Sequence, residues 1–282
     1  MFVIIGIIVV IGCMLGGFMM VGGKPIALVH INEYIIIIGC VLGSMIAGNP
    51  LPTFIQIIKG MIGTLKGPSI SKQAYIDLLK MLYEIFNFAK REGLIALEPH
   101  VENPESSSIM SKYPTFISNH HAVDFLCDTL KVLLSGGVPA HDLDDLMDAD
   151  LETLHEYEHA PVSAAQTAAD AFPAVGIVAA VLGIIITMGS ITESPEVIGG
   201  KVGSALVGTF LGVLISYCIA APIARMMAIY TSMDGKYVLV IKAALLAYAK
   251  GSPAAVAIEF GRRVIDPMSR PSFKEAEEAC KR

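Results

Sequence analysis

AFPAVGIVAAVLGIIITMGSI occupies residues 171–191 and contains no Asp, Glu, Lys, Arg or His. A membrane-spanning helix needs about 20 predominantly apolar residues to cross a hydrocarbon core about 30 Å thick. Three other segments have the same character: Met1–Val21, Tyr34–Phe54 and Val202–Ala221. The sequence therefore predicts an all-α membrane protein with four transmembrane helices. Residues 1–21 lack the basic start and the short apolar core of a signal peptide, so we interpret them as the first span.

The overall composition agrees with this interpretation. Hydrophobic residues make up 54% and charged residues 16% of the chain, whereas ordinary soluble domains contain about 25% charged residues. The net charge of −6 argues against nucleic-acid binding and suits a soluble face that meets a charged protein partner. The five cysteines have neither disulfide nor metal-ligand spacing, so we expect no metal and no cofactor.

The distribution of Lys and Arg predicts the orientation. The two short loops between paired spans hold only Lys24 and Lys201, whereas Lys59, Lys66 and Lys72 follow the second span. Positive residues accumulate on the cytoplasmic side of membrane proteins. Both termini and the long middle segment are therefore predicted to be cytoplasmic.

Four regions follow from this layout. Residues 1–54 hold spans one and two with a short periplasmic loop, and residues 170–227 hold spans three and four. Residues 55–169 form a helical cytoplasmic domain between spans two and three, and residues 228–282 form a helical C-terminal tail. Within the domain, apolar residues recur at the spacing of one buried helix face: Tyr75, Leu78, Leu79, Leu82, Ile85, Phe86 and Ala89.

The predicted spans carry no carboxylate, Lys, Arg or His. Ionisable groups inside a bilayer are costly and usually mark an ion path. If the chain conducts ions, a partner helix must then supply the carboxylate. Glu33 is assigned to the loop before the second span.

The fourth span carries a small residue at every fourth position: Gly200, Ser204, Gly208, Gly212, Ser216 and Ala220. Such a stripe lets another helix approach closely. Two interpretations stay open, because the approaching helix can belong to the same chain or to another subunit or partner.

Two prolines fall at the predicted cytoplasmic mouth of the spans. Pro173, just after Asp170, lies in the first turn of the third span, where proline is readily accommodated. Pro222 is predicted to end the fourth span, because it cannot donate to the carbonyl of Cys218. These positions suit a gate.

One motif indicates a different class of protein. His155-Glu156-Tyr157-Glu158-His159 matches H-E-x-x-H, which places two zinc ligands on one helix face. A membrane metalloprotease is therefore an alternative. Against it, the motif lies in a strongly acidic segment, Pro161 is predicted to end the helix, and no third ligand is evident.

Several segments together resemble the MotA family of flagellar stator subunits. The third and fourth spans match in residues 171–183 and 205–212. Four shorter segments match in order and spacing: Glu102-Asn103-Pro104, Leu146-Met147-Asp148, residues 257–262 and Arg270-Pro271-Ser272-Phe273. The resemblance covers nearly the whole chain.

The resemblance implies a multi-pass protein of the bacterial inner membrane. It implies a pentameric ring of such chains around two copies of a MotB-type partner, whose single span carries the essential Asp. Ion flow would turn the ring and drive the rotor protein FliG. The family's functional prolines match Pro173 and Pro222, and its ion-path hydroxyl matches Thr209.

The resemblance also implies which charges face the rotor. Glu98 matches the family's acidic contact residue, and Lys90, with Arg91 beside it, stands where the family usually has Arg. Asp150 is included in the same predicted surface. Exposed ion pairs are typically worth less than about 1 kcal/mol, so a merely solvated helix end stays an alternative.

Ala180 bears on the transported ion. Sodium-driven relatives carry Thr at the matching position, and a methyl group offers no oxygen ligand to a hard cation. The resemblance therefore implies proton coupling, with Na⁺ as the alternative. The related ExbB/TolQ-type energising subunits remain another alternative, although they have three spans.

Overall fold

In the computed structural model, which describes residues 2–68 and 70–281, every regular element is helical. This agrees with the predicted fold class. The α-helices are α1 (Phe2–Met20), α2 (Ile31–Gly48), α3 (Leu51–Lys66), α4 (Lys72–Glu92), α5 (Glu98–Glu102), α6 (Pro114–Ile117), α7 (His120–Ser135), α8 (Ala140–Met188), α9 (Pro195–Ile215), α10 (Ala221–Ala249), α11 (Ala254–Val264) and α12 (Phe273–Lys281). Short 3₁₀ turns connect several of them, and a π-helical turn, Ser216–Ala220, separates α9 from α10.

The chain divides into two compact units. The first comprises Met1–Gly67 and Glu158–Ile229, and the second comprises Pro68–Tyr157 and Tyr230–Arg282. Met1, Ser69 and Arg282 lie outside the described residues, as do the corresponding ends of the predicted first span and of the predicted tail. The divisions differ from the four predicted regions, because α3 belongs to the first unit and the start of α8 to the second.

Four helical segments are long and apolar enough to cross a membrane. They lie in Phe2–Met20, Pro25–Gly48, Ala140–Met188 and Pro195–Ala249. The predicted second span, Tyr34–Phe54, is not one continuous helix, because Asn49-Pro50 interrupts it and α3 begins anew at Leu51. Pro50 cannot donate its own hydrogen bond, and it disfavours helical geometry in the residue before it.

Helix α8 corrects two predictions. It continues through both Pro161 and Pro173, so Pro161 does not end the acidic helix and Pro173 does not lie in a first turn. A proline inside a helix removes one hydrogen bond and crowds the preceding turn. Beyond Pro161, Val162, Ala165 and Ala168 are buried in an apolar cluster. Their burial stabilises the helix on the far side of the proline.

The first unit is held by two apolar clusters. One joins α2, α3, α8 and α10 through Val41, Met45, Ile57, Val162, Ala165, Ala168, Ile223, Ala224 and Met227. The other joins α2, α8 and α9 through Ile37, Ala179, Val207 and Leu211. Helix α1 has no fully buried residue, although Val3 and Ile7 pack partly against the first cluster. Much of its apolar surface is therefore left for lipid or another protein. The middle of α2 is thus packed against the third and fourth spans.

The core of the second unit is built on α4. All seven apolar positions predicted to form its buried face are buried. The Ser71 hydroxyl accepts a hydrogen bond from Ala74 N at 3.2 Å and begins the helix. Gly93, at φ +90°, ends it. Phe86 stacks on Tyr248 of α10 with ring centroids 4.4 Å apart.

A carboxylate–guanidinium network joins two of the sequence segments quoted above. Arg262 donates to both oxygens of Glu259, at 2.6 and 2.8 Å, and to the carbonyl of Pro271 at 2.9 Å. Arg263 donates to Glu259 Oε1 at 2.8 Å. These hydrogen bonds, chiefly those from Arg262, lower the pKa of the Glu259 carboxyl to about 2. The network ties α11 to the segment before α12.

We expect E259Q to destabilise the chain by about 1.5–3 kcal/mol at pH 7, since hydrogen bonds to charged groups are worth about that much. A depressed pKa stabilises the folded state above the ordinary pKa of 4.5, and this stabilisation is lost as the pH falls toward 2. The difference from wild type should therefore shrink below pH 4.5. Thermal unfolding followed by circular dichroism in detergent measures it.

Glu278, 56% exposed and 3.9 Å from Lys274, supplies the control. E278Q should have the same unfolding temperature as wild type at pH 7 and at pH 3. An E259Q deficit that stayed constant down to pH 3 would show that the carboxylate charge is not its source.

Candidate functional site

The third and fourth spans pack backbone to backbone. A Cβ atom built on Gly212 of α9 would lie 2.6 Å from the carbonyl oxygen of Phe172 and 2.8 Å from Gly176 Cα. One built on Gly176 would lie 2.9 Å from the carbonyl oxygen of Gly208, and one on Gly183 would lie 2.7 Å from Ala205 Cβ. Only glycine permits this approach. The contributions of Gly176 and Gly183 were missed in the sequence, although both lie in the charge-free segment quoted first.

The small-residue stripe of α9 is used mostly within the chain. Gly208 and Gly212 are buried against α8. One turn earlier, the Ser204 hydroxyl lies 3.0 Å from Nδ1 of His30. Gly200 is exposed, and a Cβ atom there would meet nothing within 4 Å. Of the two open interpretations, packing within the chain therefore describes the middle of the stripe.

Ala180 and Thr209 lie at the same level of this packing. A Cβ atom on Gly208 would lie 3.1 Å from Ala179 Cβ and 3.3 Å from the backbone nitrogen of Ala180. Thr209 follows Gly208 directly, and both Ala180 and Thr209 are half-buried. The structure thus brings together two residues that sequence reasoning selected on different spans.

Glu33 corrects the prediction that the spans carry no carboxylate. It lies inside α2 rather than in the preceding loop, because an acidic residue in a first helical turn is stabilised by the helix dipole. Its side chain is buried, with 6% of the residue exposed. A Cβ atom on Gly208 would lie 2.6 Å from Glu33 Oε2, and within residues 2–68 and 70–281 this oxygen has no hydrogen-bond partner. The sequence did contain a signal for this buried carboxylate, because Glu33 directly precedes the apolar run that starts at Tyr34.

Pro173 is half-buried in the middle of α8. The carbonyl of the preceding residue, Phe172, is the one that approaches Gly212 most closely. Asp170, one turn earlier, is exposed and accepts a hydrogen bond from Gln166 Nε2 at 2.9 Å. Pro173 and Asp170 therefore lie next to the close contact between Phe172 and Gly212.

Pro222 does not end the fourth span, as the sequence had predicted. The helix widens into the π-helical turn Ser216–Ala220 and resumes as α10 at Ala221. Proline has no backbone N–H, so one helical hydrogen bond is missing at this position. A π turn accommodates the missing bond while the helix continues, and such turns are common at functional sites. Ser216 is fully buried, and its Oγ has no hydrogen-bond partner in the part of the chain that the structure describes.

The predicted rotor-facing charges all lie on the second unit. Lys90 and Arg91 are exposed in the last turn of α4, and Glu98 is exposed at the start of α5. A single 3₁₀ turn, Leu94–Leu97, separates them. Asp150 is exposed on α8. Three residues before Asp150, Met147 is buried in the core of this unit and fixes this part of α8.

Buried charge fixes the start of α8 in the second unit. Lys242, 8% exposed, lies 2.7 Å from Asp144 Oδ1 and 2.6 Å from Asp148 Oδ1. Asp148 belongs to the segment Leu146-Met147-Asp148 quoted above. Two residues of the strongly acidic segment that precedes the H-E-x-x-H motif therefore pair with a buried lysine.

The H-E-x-x-H segment lies on α8, whose helix continues beyond it. Within residues 2–68 and 70–281, no group of three or more His, Cys, Asp or Glu side chains is placed to hold a metal ion. The ring of Tyr157 lies 6.2 Å from that of His121 in an edge-on contact.

Two family descriptions match the chain. Residues 4–93 match "Motility protein A N-terminal", and residues 118–233 match "MotA/TolQ/ExbB proton channel family". Motility protein A of Escherichia coli (strain K12) is 33% identical over 99% of this chain and 94% of its own length. Chemotaxis protein LafT of Vibrio parahaemolyticus is 34% identical over 97% and 96%.

Solved structures share the fold. C. jejuni MotAB has a TM-score of 0.77 at 20% identity, over 96% of this chain and 98% of that one. The flagellar MotAB stator complex from Bacillus subtilis has a TM-score of 0.68 at 21% identity, over 91% and 92%.

Four apolar helices, with glycine contacts between the third and fourth, thus define a multi-pass membrane protein of the proton-channel class. The chain belongs to the MotA family, within the MotA/TolQ/ExbB proton channel family. It is a flagellar stator channel subunit, and not an enzyme. This family assignment excludes the metalloprotease alternative.

We expect G212A to disrupt the packing of the third and fourth spans, because its Cβ would overlap the Phe172 carbonyl and Gly176 Cα. Overpacking of this kind costs about 1–3 kcal/mol. The melting temperature of the detergent-solubilised chain should fall. G203A is the matched control, since its Cβ would meet nothing within 4 Å. Equal melting temperatures for G212A and G203A would contradict the close contact.

Proposed function

We propose that five copies of this chain surround two copies of a MotB-type partner whose single span carries a membrane Asp, and that proton flow between them turns the ring. The observation that carries this proposal is the packing of α8 on α9 through Gly176, Gly208 and Gly212. It leaves Ala180 and Thr209 half-buried at one level. The relatives whose structures share the fold are themselves MotAB complexes.

Pro173 and Pro222, with Asp170, are proposed as gating residues at the inner mouth of this path. Pro173 follows the carbonyl in closest contact with α9, and Pro222 follows a π-helical turn. Both prolines therefore lie where the hydrogen-bond pattern is already perturbed. A change in packing there disturbs fewer regular backbone hydrogen bonds than it would elsewhere.

The proposed coupling ion is H⁺ rather than Na⁺. Sodium is a hard cation that needs several oxygen ligands. Next to Gly208 lie the methyl group of Ala179 and the backbone nitrogen of Ala180. The side chain of Ala180 is itself a methyl group and offers no oxygen. The hydroxyl of Thr209 remains as a side-chain oxygen at this level. Transfer of a proton requires no such coordination shell.

The proposed topology places the protein in the bacterial inner membrane with both termini in the cytoplasm. The membrane regions are residues 1–54 and 170–227, and the cytoplasmic regions are residues 55–169 and 228–282. The second compact unit, whose surface carries Lys90, Arg91, Glu98 and Asp150, would then face the rotor protein FliG. The charges support an electrostatic contact.

The first test supplies this chain and its own partner to a stator-deleted cell. We expect swimming in buffer with sodium replaced by potassium, and we expect a protonophore to stop it. Swimming that returned only with sodium would keep the stator role but overturn proton coupling. Immobile cells with an assembled complex in the membrane would contradict the flagellar role itself.

A second test separates rotor contact from conduction. Reversing the exposed charges with K90E and R91E together should abolish swimming. The rotor surface that the two positive side chains are proposed to contact would then face charges of its own sign. The complex should still assemble in the membrane at wild-type amounts. K274E, at a residue 84% exposed on α12, is the control. Wild-type swimming by the double variant would show that Lys90 and Arg91 do not contact the rotor.

A further inference from the structure

The feature that the proposed function leaves unused is a carboxylate of this chain inside the membrane-spanning unit. Glu33 has 6% of its surface exposed, and its Oε2 has no hydrogen-bond partner among the described residues. Placing an uncompensated charge away from water is very costly, so such a group binds a proton or pairs with a cation. Among the described residues, the ionisable side chain that interacts with it from the turn before α2 is that of His30.

The small-residue stripe gives this carboxylate a defined place. A Cβ atom on Gly208 would lie 2.6 Å from Glu33 Oε2 and 3.3 Å from the backbone nitrogen of Ala180. The glycine therefore makes room for the carboxyl group at the level of Ala180 and Thr209. Glu33 therefore lies on the α2 side of Gly208, the residue directly before Thr209.

His30 connects the site to the exposed loop. Its Nε2 lies 3.1 Å from the carbonyl of Ala27, and its Nδ1 lies 3.0 Å from the Ser204 hydroxyl. His30 directly precedes α2 and lies three residues before Glu33, and on α9 Ser204 precedes Gly208 by four residues. Three and four residues each correspond to about one helical turn. The two titratable groups therefore lie one above the other along the stripe.

Other ionisable groups near the stripe are engaged or absent. Lys201, one turn before Ser204 on α9, lies 3.3 Å from Glu193 Oε2 and also donates to the Ser190 hydroxyl. The part of α8 that packs here, residues 171–188, carries no Asp, Glu, Lys, Arg or His. Neither Lys201 nor this part of α8 therefore neutralises Glu33, and His30 is the basic side chain that acts on it.

We propose that Glu33 is a proton-binding site of this chain: its carboxyl group takes up a proton from the side of His30, holds it while packed on Gly208, and releases it toward the ion path. The step is a simple protonation equilibrium, in which the carboxylate gains H⁺ and the neutral acid returns it. The inference rests on the proposed proton conduction and adds a carboxylate from this chain to the one expected from the partner.

The first measurement reads the protonation state directly. Infrared spectra of the purified complex of this chain with its partner should show the carbonyl stretch of a protonated carboxylic acid that is absent from E33Q. In D₂O this band should shift, because the proton exchanges. Identical wild-type and E33Q spectra in the carboxylic-acid region would overturn the proposal, whatever the swimming assay showed.

The second measurement is functional and uses stator-deleted cells with the full complex. Removing a proton-transferring side chain slows the step it serves by about 10²–10⁴-fold. E33Q cells should therefore fail to spread in soft agar at wild-type levels of assembled complex, and E33D cells should spread in part. G208A, which displaces the Glu33 carboxyl group, should resemble E33Q, whereas G203A should resemble wild type.

The outcomes separate this inference from the proposed function. E33Q cells that swim like wild type would overturn the role of Glu33 and leave the stator role intact. Wild-type cells that fail to swim would contradict the proposed function, while the infrared band still decides whether Glu33 holds a proton. A band together with normal E33Q swimming would show a protonated side chain that only fills space, and would also overturn the proposal.

Discussion

The first unit depends on the contact between the backbones of the third and fourth spans. Inside a lipid phase there is little hydrophobic gain from bringing two helices together, so close van der Waals contact and polar contacts must hold them. Gly176, Gly208 and Gly212 supply that contact by bringing carbonyl groups and Cα atoms of one helix against the other. Everything proposed for ion movement is placed relative to this seam, because Ala180, Thr209 and Glu33 are all fixed by residues adjacent to these glycines.

The second unit is stabilised by different forces. Its core consists of large apolar side chains on α4, α7, α10 and α11, which are shielded from water in the ordinary way. Ionic contacts then fix particular segments: Lys242 pairs with Asp144 and Asp148, and Arg262 joins Glu259 to Pro271. The two units therefore respond to different changes. Adding one methyl group is damaging in the first, while removing a charge or a large side chain is damaging in the second.

Much of the fold could be predicted from the sequence, because four charge-free apolar segments and one clear amphipathic helix leave few alternatives. The amphipathic face of α4 was predicted residue by residue, since the 3.6-residue period of its apolar positions is unambiguous. The effects of proline were predicted poorly. Pro161, Pro173 and Pro222 do not end helices here, because tertiary packing on both sides of each proline outweighs the loss of one hydrogen bond. Glu33 was missed for a related reason, since a charged residue beside an apolar run looks like a loop until its partner helix is known.

The π-helical turn Ser216–Ala220 has a consequence for the phase of the fourth span. Such a turn contains one residue more than the α-helical turn it replaces, and in an α-helix one residue corresponds to a rotation of about 100°. The residues of α10 are therefore rotated about the helix axis relative to those of an unbroken α9. The regular four-residue spacing that reaches Ala220 in the sequence does not describe one continuous face, and deletion of a single residue here would bring a different row of side chains round to face the same neighbours. At this point the length of the segment, as much as its composition, carries structural information.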